Sequence, residues 1–132
     1  MAITKQVDRQ RVLAAVADVG IAQIGVAGAN GIAMIIPPNA VVLSVEGLTT
    51  TVFNSATTDT LLVTDGTTIF INGADIKTAV GVAVTANAPK FYPSGGTITV
   101  SAAETGATAT AGRTIVTVRY IVVGRGNEVQ AS

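Results

Sequence analysis

TLLVTDGTTIFI, residues 60–71, carries two β-rich runs joined by Asp65-Gly66. An Asp-Gly pair between runs of Thr, Leu, Val, Ile and Phe is a strong short-range signal for a β-hairpin with a type I′ turn. Both residues tolerate the positive φ that this turn requires at its two centres. Such a turn sets Thr64 opposite Thr67, Leu62 opposite Ile69 and Leu61 opposite Phe70. Both faces then carry apolar pairs, as expected of strands inside a sandwich.

Other strands follow on either side. GGTITVSA (95–102) alternates cleanly, with Ile98 and Val100 inward and Thr97, Thr99 and Ser101 outward. A small-residue loop, 103–112, leads into a final strand from Arg113 to Val123. There Val116, Val118, Tyr120 and Val122 form the inner face, and Arg113, Thr117 and Arg119 lie outside beside Ile115 and Ile121. AVVLSVEGLTTTVF (40–53) reads as a long strand with Val41, Leu43 and Val45 on one face. Past Gly47 its apolar face passes to Leu48, Thr50 and Val52, which predicts a bulge or bend near Glu46-Gly47. IAMII (32–36) is a short apolar strand ended by Pro37-Pro38-Asn39. Residues 73–89 hold a turn or single helical turn around Asp75–Thr78, then a strand over Val80–Thr85.

VLAAVADV (12–19) fits neither the helical nor the alternating template cleanly, and its Val content leans it to strand. Seven or eight short strands, with no ordinary helix between them and no fixed-period repeat, read as an all-β sandwich of jelly-roll type. The expected organisation is an N-terminal arm over 1–11, one sandwich domain over 12–123 and a polar tail over 124–132. The arm holds Lys5, Arg9 and Arg11, three of the eight basic residues.

Composition narrows the chemistry. The 132 residues contain no Cys, His or Trp. Disulfides and thiolate chemistry are therefore absent, as are the commonest neutral-pH acid/base group and transition-metal ligand. Eight basic residues balance eight acidic ones, so neither nucleic acid nor an anionic membrane is an expected partner. Only 12% of residues are charged against 48% hydrophobic, a balance suited to a chain partly buried in an assembly. No signal peptide or transmembrane helix is read, since Asp18, Gln23, Asn30 and four glycines interrupt the most apolar region, 12–36. The chain is expected to be made in the cytoplasm, and to stay there or leave within a larger particle.

Motifs for catalysis are missing. GxSxG and SxxK do not occur, and the carboxylates show no calcium-loop spacing. GVAGANG (25–31) has neither dinucleotide nor P-loop spacing and reads as a turn. Asp59, Asp65 and Asp75 could converge, but Asp65 is already accounted for by its turn. The expectation is no enzyme, no cofactor and no metal. Phe53 and Phe70 read as core. KFYPSGG (90–96) is the one loop combining aromatics with a charge, so Lys90, Phe91 and Tyr92 join Lys5, Arg9, Arg11 and Arg113 as candidate partner contacts.

TTTVFNSATTDTLLVTDG (49–66) and YPSGGTITVSAAETGATATAGRTIVTVRYIVV (92–123), about half the chain, resemble the small structural proteins encoded beside the major capsid protein in many tailed bacteriophages. The similarity lies in a T-x-F-N-x-x-T-x-D-T-L-x-V strand entry, a later I-x-V strand, a G-A-T-A-G-type loop and a closing V-x-Y-I. The N-terminal third matches no such pattern. The resemblance implies a capsid decoration or cement protein that binds the outside of an HK97-type shell and clamps neighbouring major capsid subunits, self-associated as a dimer or trimer. It would reside in the virion. The alternative from the residues is a tail or fibre module binding a host receptor or glycan, with Tyr92 and Tyr120 as the available aromatics. The Ala-Gly-Thr loop 103–112 is then either uncharged contact chain or a spacer between sheets.

Overall fold

The computed structural model describes residues 11–21, 24–25, 31–86 and 89–123. The arm residues 1–10, most of GVAGANG and the tail 124–132 lie outside the described residues, and with them Lys5 and Arg9.

Every regular element of appreciable length is a strand. They run β1 (Leu13–Gly20), β2 (Ile24–Gly25), β3 (Ile32–Ile36), β4 (Ala40–Thr51), β5 (Thr58–Thr64), β6 (Ile69–Asp75), β7 (Gly81–Ala86), β8 (Lys90–Tyr92), β9 (Gly96–Thr105) and β10 (Arg113–Val122). They form two sheets. The first has order β1-β10-β4-β7, with β8 also on β4; the second has order β2-β9-β5-β6, with β3 also on β9. Pairing is antiparallel except for the two-residue β2, which runs parallel to β9. Counting β2/β3 and β7/β8 each as one split strand leaves eight positions, ordered 1-8-3-6 and 2-7-4-5. That is a jelly roll, in which successive strands pass between two facing sheets.

Val, Ile and small residues fill the space between the sheets. Val19, Val42, Val45, Val116 and Val118 from the first sheet meet Ile36, Leu61, Val63, Ile71, Ile98 and Val100 from the second, all essentially inaccessible. Phe53 and Phe70 are buried, as their pattern implied. On β10, Val116, Val118 and Val122 point inward and Tyr120 is half-buried.

Two registers and one side-chain placement differ from the expected ones. In the β5–β6 hairpin only Gly66 among the turn residues has positive φ (93°), so the turn is not type I′. It centres on Gly66-Thr67, closed by the Asp65 N–H donating to the Thr68 carbonyl at 3.1 Å. Thr64 therefore pairs with Ile69, Val63 with Ile71, Leu62 with Asn72 and Leu61 with Ala74. On β4 the face changes at Leu43, not at Gly47. Tyr120 pairs with Val42 and Arg119 with Ser44, which leaves Leu43 as the extra residue. Beyond it Val45, Gly47 and Thr49 face inward, while Leu48 and Thr50 are exposed and Val41 and Leu43 only half-buried. Thr49 can lie inside because its hydroxyl shares a buried 3.0 Å hydrogen bond with that of Thr114. The shift beside Gly47 does exist, but its extra residue is Ala83 on β7. Ser101 is buried rather than outward, since the chain at Gly31 passes over it.

Phe53 closes one end of the sandwich. Gly112 lies on its ring so closely that a Cβ there would stand 2.3 Å from Cδ2. Gly112→Ala is expected to destabilise the fold by about 2–4 kcal/mol, through overpacking and a strained φ together. Urea unfolding should show a lower midpoint with an unchanged m-value.

Candidate interaction surface

Strand alternation splits the Lys90-Phe91-Tyr92 triplet. Lys90 and Tyr92 turn toward the second sheet and Phe91 turns out, half-exposed. The Tyr92 hydroxyl donates to Asp65 Oδ2 at 2.7 Å. Lys90 Nζ donates to the same oxygen, and to Thr68 Oγ1 at 2.8 Å. Its ammonium also stands 5.1 Å from the Tyr92 ring centre. Asp65 takes further N–H bonds from Thr67 and Thr68. Burial alone would raise the Asp65 carboxyl, but hydrogen bonds from Lys90, the Thr68 N–H, Tyr92 and the Thr67 N–H outweigh it and hold the carboxyl well below its ordinary 3.8. Burial first, then the Asp65 carboxylate, pushes the Tyr92 phenol well above its ordinary value. Lys90 and Tyr92 are thus an internal staple from β8 of one sheet to the turn of the other. The Tyr92 ring is no surface platform for a glycan, and Tyr120 is half-buried.

Phe91 belongs to a different feature. It pairs with Val41 on β4, and Val41 pairs with Ile121 on β10. These three make an apolar row across the outer face of the first sheet. Leu48 and Val16 are exposed on the same sheet, at 44% and 60%. The charges near them are matched. Arg113 holds Asp18 by two bonds, at 2.9 and 2.7 Å, and Arg119 holds Glu46 at 2.9 Å. The Arg113 hydrogen bond lowers the Asp18 carboxyl, and Asp18 in turn raises Arg113. Arg113 is therefore on the outer face, as expected, but ion-paired. Arg11 is exposed just before β1.

The loop after β9 covers its own chain. Asn54, the Asn of the T-x-F-N-x-x-T pattern, accepts N–H bonds from Thr110 and Ala111 at 2.7 and 3.1 Å and donates to Thr110 Oγ1 at 3.0 Å. Glu104 accepts the Ala109 N–H at 2.8 Å, and the Ala56 N–H donates to the Ala107 carbonyl at 3.1 Å. The close approach allowed by its small residues is to Phe53 and Ala56.

Asp59, Asp65 and Asp75 do not all converge. Asp65 sits at the turn end of the β5–β6 hairpin and Asp59 and Asp75 at the other. A cleft of about 380 Å³ there is lined by Thr57, Thr58, Asp59, Thr60, Asp75, Lys77 and Thr78. Asp75 is engaged by the N–H groups of Lys77 and Thr78 and the Thr78 hydroxyl, which together lower its carboxyl. Asp59 is buried, with Oδ2 accepting the Ser55 N–H at 3.1 Å. Among the described residues no group of three or more Asp, Glu, His or Cys could hold a metal ion.

No family model matches the chain, and no curated protein matches its sequence. A solved structure does share its fold. A chain of the cyanophage Pam1 capsid asymmetric unit superposes with a TM-score of 0.68 at 18% identity, over 92% of this chain and 91% of that one.

The Asp65 value is depressed on folding, so its contribution is present above the unfolded value of about 3.9 and lost as pH falls toward the folded one. Asp65→Asn is expected to cost about 2 kcal/mol at pH 7, by loss of charge-assisted hydrogen bonds. The gap from the parent should narrow as pH falls below about 4. Urea titrations at neutral and acid pH measure both effects.

Proposed function

We propose that this chain is a virion structural protein of a tailed bacteriophage, which binds the outer surface of an HK97-type capsid and stabilises it by clamping neighbouring major capsid subunits. The observation that carries this reading is the end-to-end fold likeness to a chain of a phage capsid asymmetric unit. Because coverage is nearly complete on both sides, the counterpart is a chain of similar size built on this one fold, not a domain within a large subunit. The resemblance of residues 49–66 and 92–123 to phage head proteins points the same way.

In this reading the protein does no chemistry and its work is attachment. The apolar row Phe91–Val41–Ile121 supplies a half-exposed aromatic anchor, the type of residue that dominates interface energetics. The neighbouring ion pairs are already satisfied, so the face can be covered with little uncompensated charge.

Co-sedimentation with purified capsids is expected to show saturable binding at a fixed ratio to the major capsid subunit, and a raised capsid disruption temperature. Phe91→Ser should weaken that binding at least about tenfold while leaving the fold intact. Failure to bind the shell, with the protein found on the tail or on host cells, would overturn the reading in favour of a tail or fibre module.

A further inference from the structure

Sheet edges in soluble proteins are normally blunted by short strands, lysines, prolines or bulges. Three of the four edges here follow that rule. The edge opposite β1 is split between β7 and β8, with a register shift against β7. In the second sheet one edge is split between β2 and β3, and the other, β6, carries two register shifts against β5. β1 is the exception. It is eight residues long, LAAVADVG, and pairs with β10 from Leu13 to Gly20 without a register shift. It has no Lys and no Pro, and its one charge, Asp18, is neutralised by Arg113. Among the described residues no strand pairs with its other edge.

We propose that β1 is a self-association edge, pairing antiparallel with β1 of a second copy about a two-fold axis through Val16. The outward side chains select both the occupant and the register. They are Ala14, Val16 and Asp18. A two-fold centred on Asp18 sets two carboxylates face to face, which is destabilising. One centred on Ala14 leaves Asp18 and Gly20 beyond the partner strand. Centred on Val16, the strands overlap from Leu13 to Val19 and the exposed valines form a β-branched cross-strand pair. Asp18 then faces Ala14 of the second copy, whose neighbour on β10 is Arg119. Each carboxylate looks across a methyl group toward a guanidinium, and the symmetry repeats this on the other side. This isologous match brings no like charges face to face and leaves the Asp18–Arg113 and Glu46–Arg119 pairs of each copy intact.

The chain has no cysteine, so a single-cysteine variant gives a clean readout on the full-length protein in isolation, apart from any question of capsid binding. Val16→Cys is expected to form a disulfide-linked dimer on mild oxidation, since directly opposed residues lie within disulfide reach. Ile35→Cys, at a site 73% exposed on the second sheet, should stay uncross-linked. Val16→Lys opposes two ammonium groups at the centre of the pair and should weaken self-association by more than about tenfold in sedimentation equilibrium, with an unchanged circular dichroism spectrum. A monomeric parent protein, cross-linking at Ile35→Cys as efficient as at Val16→Cys, or an association state indifferent to Val16→Lys would overturn the proposal.

Discussion

The register of β10 is the constraint from which the rest of the molecule follows. The strand lies between β1 and β4 and is paired along its whole length on the β4 side. Its alternation sends Val116, Val118 and Val122 into the core and leaves Ile115, Thr117, Arg119 and Ile121 on the outer face. A slip of one residue would exchange the two sets, exposing valines and burying an arginine. Buried valines that meet β9 and β5 side chains across the core make that slip costly. The two unpaired β4 residues against β10, Leu43 and Thr50, let a curved strand follow it without such a slip. The outer face is therefore as strictly specified as the core, being the other half of the same alternation.

With so few aromatics, the sandwich closes its two ends by different means. Phe53 fills one end, beneath a loop pinned by Asn54, Glu104 and Ala56. At the other, Tyr92 brings a hydroxyl that must be satisfied, and Asp65 satisfies it. A buried carboxylate is tolerable there because Lys90 and two backbone N–H groups share it. This staple ties β8 to the opposite sheet and fixes the direction of Phe91, since β-strand geometry makes neighbours point oppositely.

These same features mark what was legible in the sequence. Strands with clean alternation, 96–100 and 116–122, could be read directly because one face of each carries apolar side chains into the core. The hairpin at 65–68 was legible but its register was not. Asp65 resembles a turn centre by residue type, and its capture by Lys90 and Tyr92, 25 and 27 residues away, leaves no local trace. The β4 phase was hidden for a similar reason. Thr49 and Thr114 look like surface residues until each is seen to satisfy the other, 65 positions apart. KFYPSGG stands out in the sequence for joining aromatics with a charge, but only the sheet pairing separates the inward Lys90 and Tyr92 from Phe91. Asn54 and Asp59 stand in the F-N-x-x-T-x-D pattern of the resemblance, but nothing local to them shows the backbone N–H groups they accept.

The proposed two-fold pairing gives the outer face a use that a single copy lacks. Joining two first sheets through β1 makes a continuous eight-strand ribbon, from β8 of one copy to β8 of the other. The two Phe91 anchors then lie at opposite corners, roughly 34 Å apart across the strands at ~4.8 Å per strand. One row alone is a small patch that binds weakly. Two rows held rigidly at a fixed span convert the second contact into an intramolecular event, and the gain is lost if the partners move apart. A rigid bivalent ribbon therefore resists separation of whatever two surfaces it bridges, which is the mechanical requirement of a clamp. It also accounts for the low charge of the chain. A span built from sheet edges and apolar rows needs its few ions paired within each copy, as Asp18 with Arg113 and Glu46 with Arg119 are, so that covering them strands no charge.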